Sequence, residues 1–376
     1  MAKPALVGGD PDCGHEVACA YQTHYCTYIR VPRLLSLQCP QSPDDLLLIT
    51  AHQWYELWFK VLLADLEAVI ADDGATYEPV KLLRRGIELF KLLDHHTDLA
   101  ETVIVRELGL TQTIRLPRGG RLPVSDQFSK LVALSRRVSR RLESASEYLS
   151  RLKAFRARYQ KFVTATLIPK QSKAPAYADW LKLPELLNLQ NGAKADWAET
   201  GEQPTAIKEP EHINADENMF IIVHQCFEIW FKVALDHVDR VIPLIMRGDI
   251  AQATRLLRHV LLAQRLLVQQ IQIPATMLPL DFLRFRTQKR ERDGKVFITG
   301  LSPASGTESY QFREIEIVCG LRDDPVFQKY LAGNETLPIR LLTPRQAERL
   351  QQPTLLDALR HALQGRGLSR FDDLFT

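Results

Sequence analysis

The chain has 376 residues, 45% hydrophobic and 25% charged, with a formal net charge of +3. That length accommodates two domains or one domain with a doubled core, and the near-balanced charge argues against nucleic acid or an anionic membrane as a partner. No apolar run approaches the ~18 residues of a membrane span. Residues 1–12 lack the apolar core of a signal peptide, and six cysteines in so long a chain make no disulfide framework, so a reducing cytoplasm is the expected compartment.

Cys13, Cys19, Cys26 and Cys39 lie near His15 and His24, but their spacings contain no Cys-x-x-Cys pair and match no common zinc pattern. From Asp44 to Ala71 apolar residues recur at three- and four-residue steps (Leu48, Ala51, Tyr55, Phe59, Leu62, Leu66). This predicts a helix with Asp44 as its N-cap. Val80 to His96 reads as a second helix, and Val124 to Thr166 as one long helix or two. Ile168 to Glu211 is rich in Pro, Gly and polar residues and reads as an irregular connector. Helices are then expected from Asn214 to about Met246, from Ile250 to Ile273, from near Tyr310, and from Leu355 to Leu363. Lys295 to Ile298 reads as one arm of a small hairpin around Asp293-Gly294.

The chain contains an internal duplication. His52-Gln-Trp-Tyr-Glu-Leu-Trp-Phe-Lys60 returns as His224-Gln-Cys-Phe-Glu-Ile-Trp-Phe-Lys232, six of nine positions being identical at an offset of 172. Val61/Val233, Leu63/Leu235 and Val69/Val241 keep the offset, as expected for two copies of one helical unit. The expected organisation is a first helical repeat with an N-terminal arm over residues 1–166, a connector over 167–211, and a second repeat with a C-terminal extension over 212–376. Each copy places a histidine on an otherwise apolar helix.

The second copy resembles the tryptophan 2,3-dioxygenases, all-helical heme enzymes. The resemblance lies in Phe220-Ile-Ile-Val-His224-Gln225 with Glu228-Ile-Trp-Phe-Lys232, then Leu266-Leu-Val-Gln-Gln270, Leu280-Asp-Phe282-Leu-Arg-Phe-Arg286, Leu301-Ser-Pro-Ala-Ser-Gly306 and Ser309-Tyr-Gln-Phe-Arg313. It implies an all-α fold: two tandem related helical-bundle modules enclosing heme b. It implies that His224 lies over the heme and meets the substrate ring nitrogen, and that Phe220 and Phe282 wall the indole pocket. Arg286 would clamp the substrate carboxylate with its planar guanidinium, Ser305 would line the pocket, and Arg313 would lie near a heme propionate. His24-Tyr25-Cys-Thr-Tyr28-Ile with Leu34-Leu-Ser-Leu-Gln38 resembles the family's segment before its first helix, where tyrosines reach the substrate, often from a neighbouring subunit. Tyr25 and Tyr28 are therefore substrate-site candidates. The second copy has no such segment in this reading, so one arm from copy one would serve the site in copy two.

Three features depart from the family. Ser305-Gly-Thr-Glu-Ser309 stands where the family has Ser-Gly-Phe-Gln-Ser. About a dozen extra residues separate Arg286 from Leu301. The sequence ends about where the family's C-terminal module, with the proximal heme histidine, would begin. A heme iron needs an axial ligand, and the first copy offers His52 by symmetry, or His95 and His96 where the second copy has Gln269 and Gln270. The implied activity is a heme-dependent oxygenase of tryptophan or a substituted tryptophan in a specialised biosynthetic pathway, using O2. A hydroxylase of tyrosine or a tyrosine derivative, using O2 or H2O2, and a non-catalytic helical binding protein are the alternatives. A homo-oligomer stays open.

Overall fold

The computed structural model describes residues 25–40, 43–72, 78–100, 125–138, 142, 144–166, 177–190, 215–285, 288–292, 295–299, 309–332 and 344–364. The early cysteine and histidine cluster from Cys13 to His24 lies outside them. The first half contains α1 (Tyr25–Ile29), α2 (Val31–Ser36), α3 (Pro43–Ala71), α4 (Glu78–Ala100), α5 (Asp126–Leu134), α6 (Ala145–Thr166), α7 (Tyr177–Trp180) and α8 (Leu183–Leu186). The second contains α9 (Ala215–Met246), α10 (Ile250–Gln270), α11 (Pro279–Phe285), α12 (Tyr310–Cys319), α13 (Pro325–Ala332), α14 (Pro344–Arg349) and α15 (Leu355–Gln364). A hairpin of β1 (Gln288–Arg292) and β2 (Lys295–Thr299) pairs antiparallel with Arg292 opposite Lys295, and it is the only sheet among the described residues. The fold is thus all-α apart from that hairpin.

α3 and α9 form the spine. They carry the duplicated nine-residue motif and pack on each other, with α4 and α5 against α3 and with α10, α12 and α15 against α9. Trp54, Trp58 and Trp230 are fully buried between these layers. α9 is long and apolar enough to cross a membrane by length and composition alone, but most of it is buried inside the bundle, as befits a central core helix. α3 starts at Pro43, one residue before the expected Asp44 N-cap. Proline suits the first helical position because its missing N–H would have no helical partner there. The Val124–Thr166 stretch resolves into two helices, α5 and α6, joined through a 3-10 turn at Ser135–Arg137. α6 lies close on α4: a Cβ at Gly86 would run into the Tyr148 ring, so glycine suits this approach.

One finding corrects the sequence reading. The connector contains an ordered segment, Tyr177–Gln190, built like Tyr25–Gln38. In each, a short helix ends at a left-handed residue, Arg30 (φ 59°) or Lys182 (φ 54°), and a second short helix follows with proline in its first turn. A second arm of the same build thus precedes α9.

A buried ionic network ties the halves together. Arg85 on α4 donates to both oxygens of Asp65 on α3, at 2.7 and 2.5 Å, and also bonds Asp216 in the first turn of α9. Lys81 donates to Asp216 and to Asp281 of α11, each at 2.9 Å, and pairs with Glu78. Burial opposes the ammonium charge, but the bonds from Asp216, Asp281 and Glu78 outweigh it and lift Lys81 to about 12. Removing one carboxylate from such a network leaves buried cations undercompensated. Asp216→Asn is expected to lower stability by about 3–5 kcal/mol, read from the midpoint of urea unfolding.

Candidate functional site

Phe220, His224, Phe227, Glu228 and Phe231 recur at three- and four-residue steps on α9, so they share one face of the helix. His224 Nδ1 lies 2.7 Å from the Phe220 carbonyl oxygen. A carbonyl can only accept, so Nδ1 carries the proton and Nε2 presents its lone pair. Burial lowers the His224 pKa and keeps the ring neutral, even though the residue is only partly buried. Nε2 has no protein partner among the described residues.

Aromatic rings surround this imidazole. Phe220 lies 4.4 Å from it centroid to centroid, Tyr25 meets it edge-on at 5.8 Å, and Phe227 is 6.4 Å away. α11 brings Phe282 and Phe285 to 5.6 and 5.2 Å from Phe220. Tyr25 donates its hydroxyl to Glu228 Oε1 at 2.8 Å, and Tyr28 donates to Glu217 Oε1 at 3.0 Å. The structure thus gathers His224, Phe220, Phe282, Tyr25 and Tyr28 at one end of the bundle. Arg286 follows the last residue of α11 and lies outside the described residues, as does Ser305. Arg313 sits on α12, paired with Glu316 at 2.6 Å and with its guanidinium 4.7 Å from the Phe312 ring centre. Phe312 in turn lies 5.5 Å from Phe231, on the same face of α9 as His224.

The first-repeat histidines are placed differently. His52 is fully buried, ringed by Phe162, Tyr177 and Trp180 at 5.4, 5.7 and 5.6 Å. Its Nε2 lies 2.9 Å from Thr166 Oγ1. That hydroxyl spends its own proton on the Phe162 carbonyl, so Nε2–H donates to it and Nδ1 is left as a buried acceptor without a partner. His96 stacks on Trp54 at 4.3 Å and meets Tyr55 edge-on at 4.6 Å, with neither ring nitrogen hydrogen-bonded. His95 is partly buried beside it, its pKa lowered by burial and by Arg265. None of the three is among the rings around His224. His52 is enclosed instead by α6, whose Phe162 and Thr166 close over it.

Several participants escaped the sequence reading. Glu228 accepts from Tyr25 and is itself held by Gln311, and Tyr177 and Trp180 enclose His52. The available signal was Tyr25…Pro32-Arg-Leu-Leu-Ser-Leu-Gln38, which recurs as Tyr177…Pro184-Glu-Leu-Leu-Asn-Leu-Gln190 within the proline-rich stretch.

The family described as tryptophan 2,3-dioxygenase matches residues 166–371, a span that starts ahead of Tyr177 and takes in the second arm, α9 and the helices after it. A tryptophan 2,3-dioxygenase of Herpetosiphon aurantiacus is 35% identical over 196 residues, covering 52% of this chain and 62% of the relative. One from Nocardioides sp. is 32% identical over 212 residues, covering 54% and 66%. One from Bdellovibrio bacteriovorus is 33% identical over 197 residues, covering 50% and 47%. The chain thus spans about half to two thirds of the length of the curated relatives it matches. No solved structure matches it.

The enclosed histidine is expected to make the fold acid-sensitive. Burial pushes His52 down from 6.5 to about 3, so the folded form keeps it neutral while the unfolded chain takes up a proton below pH 6.5. Its contribution to stability is complete above about pH 6.5 and is lost as the pH falls toward 3. Between pH 7 and pH 5 this group alone should cost roughly 2 kcal/mol. Unfolding free energies measured at both pH values should show that loss in the wild type and a smaller one in His52→Gln.

Proposed function

Since the chain belongs to the tryptophan 2,3-dioxygenase family, we propose that it is a heme-dependent oxygenase acting on an aromatic amino acid, tryptophan or a substituted tryptophan. The observation that carries this reading is His224: a partly buried neutral imidazole whose Nδ1 is tied to the Phe220 carbonyl, leaving the Nε2 lone pair unengaged among the rings of Phe220 and Tyr25. An acceptor in that setting suits the N–H of an indole. Phe220 and Phe282 supply flat apolar walls for the ring system. Arg286, next in the chain after α11, is the cation for the carboxylate, a bidentate task for a guanidinium. The altered turn Ser305-Gly-Thr-Glu-Ser309 and the inserted hairpin β1–β2 between α11 and that turn support a specialised biosynthetic role over general tryptophan breakdown.

The described residues fit one half of a heme site. His224 has an open nitrogen and an aromatic surround, and Arg313, paired with Glu316, is the residue that would lie near a propionate. They do not supply the other half: His52 and His96 are enclosed in packing of their own, and no second imidazole stands among the rings around His224. When bound, heme supplies the oxygen chemistry. The protein's own work is to hold the amino acid by both ends, to accept the ring N–H at His224 Nε2, and to keep water out with Phe220, Phe282 and Phe285.

A visible spectrum of the purified protein, with and without tryptophan and tyrosine, tests the class directly: an intense Soret band that shifts on adding tryptophan is the expected result. The role of His224 is tested by calorimetric titration. Tryptophan should bind about 5- to 10-fold more tightly than its N1-methyl analogue, the value of one hydrogen bond, and His224→Ala should erase that difference. Equal affinities in the wild type would remove the basis for the reading. Arg286→Ala should weaken amino-acid binding by roughly 2–5 kcal/mol while heme content holds, and Arg313→Ala should do the reverse.

A further inference from the structure

The two arms are crossed. The first, α1–α2, packs on α9 of the second repeat, and the second, α7–α8, packs on α3 of the first. The same side chains of the duplicated motif receive them. On α9, Gln225 Nε2 donates to the Ile29 carbonyl at 3.0 Å, Glu228 Oε1 accepts from Tyr25 at 2.8 Å, and Lys232 Nζ donates to the Leu35 carbonyl at 2.7 Å. On α3, Gln53 Nε2 donates to the Leu181 carbonyl at 3.0 Å, Glu56 Oε1 accepts from Tyr177 at 3.0 Å, and Lys60 Nζ donates to the Leu187 carbonyl at 2.6 Å. A glutamine completes each set. Gln311 Nε2 donates to Glu228 Oε2 at 2.6 Å and to its carbonyl at 2.8 Å, and Gln127 Nε2 does the same to Glu56, at 2.8 Å in both cases. Both glutamines follow an N-capping serine, Ser309 or Ser125, whose hydroxyl bonds the backbone N–H three residues on.

We propose that Gln225, Glu228 and Lys232 form a receptor for the crossed arm, and that Glu228 with Gln311 is the positioning pair that holds Tyr25 against His224. Glu228 is fully buried, and a carboxylate in that position is tolerable only when its oxygens are engaged. Here each oxygen has a donor, and one of those donors is the tyrosine whose ring meets His224 edge-on. The first repeat shows what the same receptor does without an open pocket. Tyr177 is held in the same way, but α6 closes over His52, so that copy serves only to latch the second arm. The duplicated motif is therefore first an arm-holding device, and it becomes a site only where the histidine beside it stays accessible. The functional side of this inference rests on the α9 pocket being the amino-acid site.

The experiment uses the full chain labelled with 3-fluorotyrosine, in which the Tyr25 and Tyr177 resonances are identified by Tyr25→Phe and Tyr177→Phe. Glu228→Gln should shift the Tyr25 resonance alone, and Glu56→Gln the Tyr177 resonance alone. Amino-acid affinity is then measured for Tyr25→Phe, Glu228→Gln and the double variant. Each should weaken tryptophan binding about 5- to 10-fold, with the double variant no worse than the worse single one, while Glu56→Gln leaves binding unchanged. An unmoved Tyr25 resonance in Glu228→Gln overturns the clamp. A moved resonance with additive affinity losses, or with losses matched by Glu56→Gln, overturns the positioning role and leaves a structural latch. If the wild type binds no aromatic amino acid, the site reading fails, while the fluorine spectra still decide the clamp.

Discussion

Two helices at the centre of this bundle are buried on nearly every side, yet each carries a glutamine, a glutamate and a lysine in the middle of its apolar run. Polar groups so placed must find partners within the protein, and the helices' own backbones are already engaged in helical hydrogen bonds. The partners come from the two short arms, whose left-handed turns at Arg30 and Lys182 leave carbonyls free and whose tyrosines bring hydroxyls. Gln225 donates to carbonyls of both arms, Ile29 in one and Leu189 in the other, and Gln53 does the same with Leu181 and Leu37. The demand of these buried amides and carboxylates is what crosses the arms over the spine.

The crossing has a consequence for function. The face of α9 that carries His224 is covered by segments from elsewhere in the chain. The first arm brings Tyr25 and Tyr28 to it, while the Lys81–Asp281 bond from α4 fixes α11 and with it Phe282 and Phe285 beside Phe220. The first half of the chain thus packs around His224 from two directions without placing its own histidines there. Its equivalent position is occupied by packing: Thr166 engages His52 Nε2, and Phe162 and Trp180 lie beside the ring.

Much of this was legible from the residues alone. The heptad-like spacing of α3 and α9, the offset duplication and the run from Phe220 through His224 to Arg313 all lie in local sequence, where periodicity and motif order are informative. The second arm was harder to see. Tyr177–Gln190 is short, lies among prolines and glycines, and gains its helices from contacts with α3 and not from intrinsic propensity. The enclosed state of His52 was equally hidden. Its nine-residue motif is nearly the same as that around His224, and nothing in that motif reports that α6, a hundred residues on, folds back across it.

Sequence alone determined the all-helical fold, the two related helices and the family, because these depend on apolar periodicity and on residue order along one segment. Only the tertiary structure decided which arm lies on which repeat and which of two matching histidines keeps an accessible nitrogen. Both outcomes depend on contacts between segments more than a hundred residues apart, Tyr25 with Glu228 and His52 with Thr166, and no local pattern encodes the meeting of such distant groups.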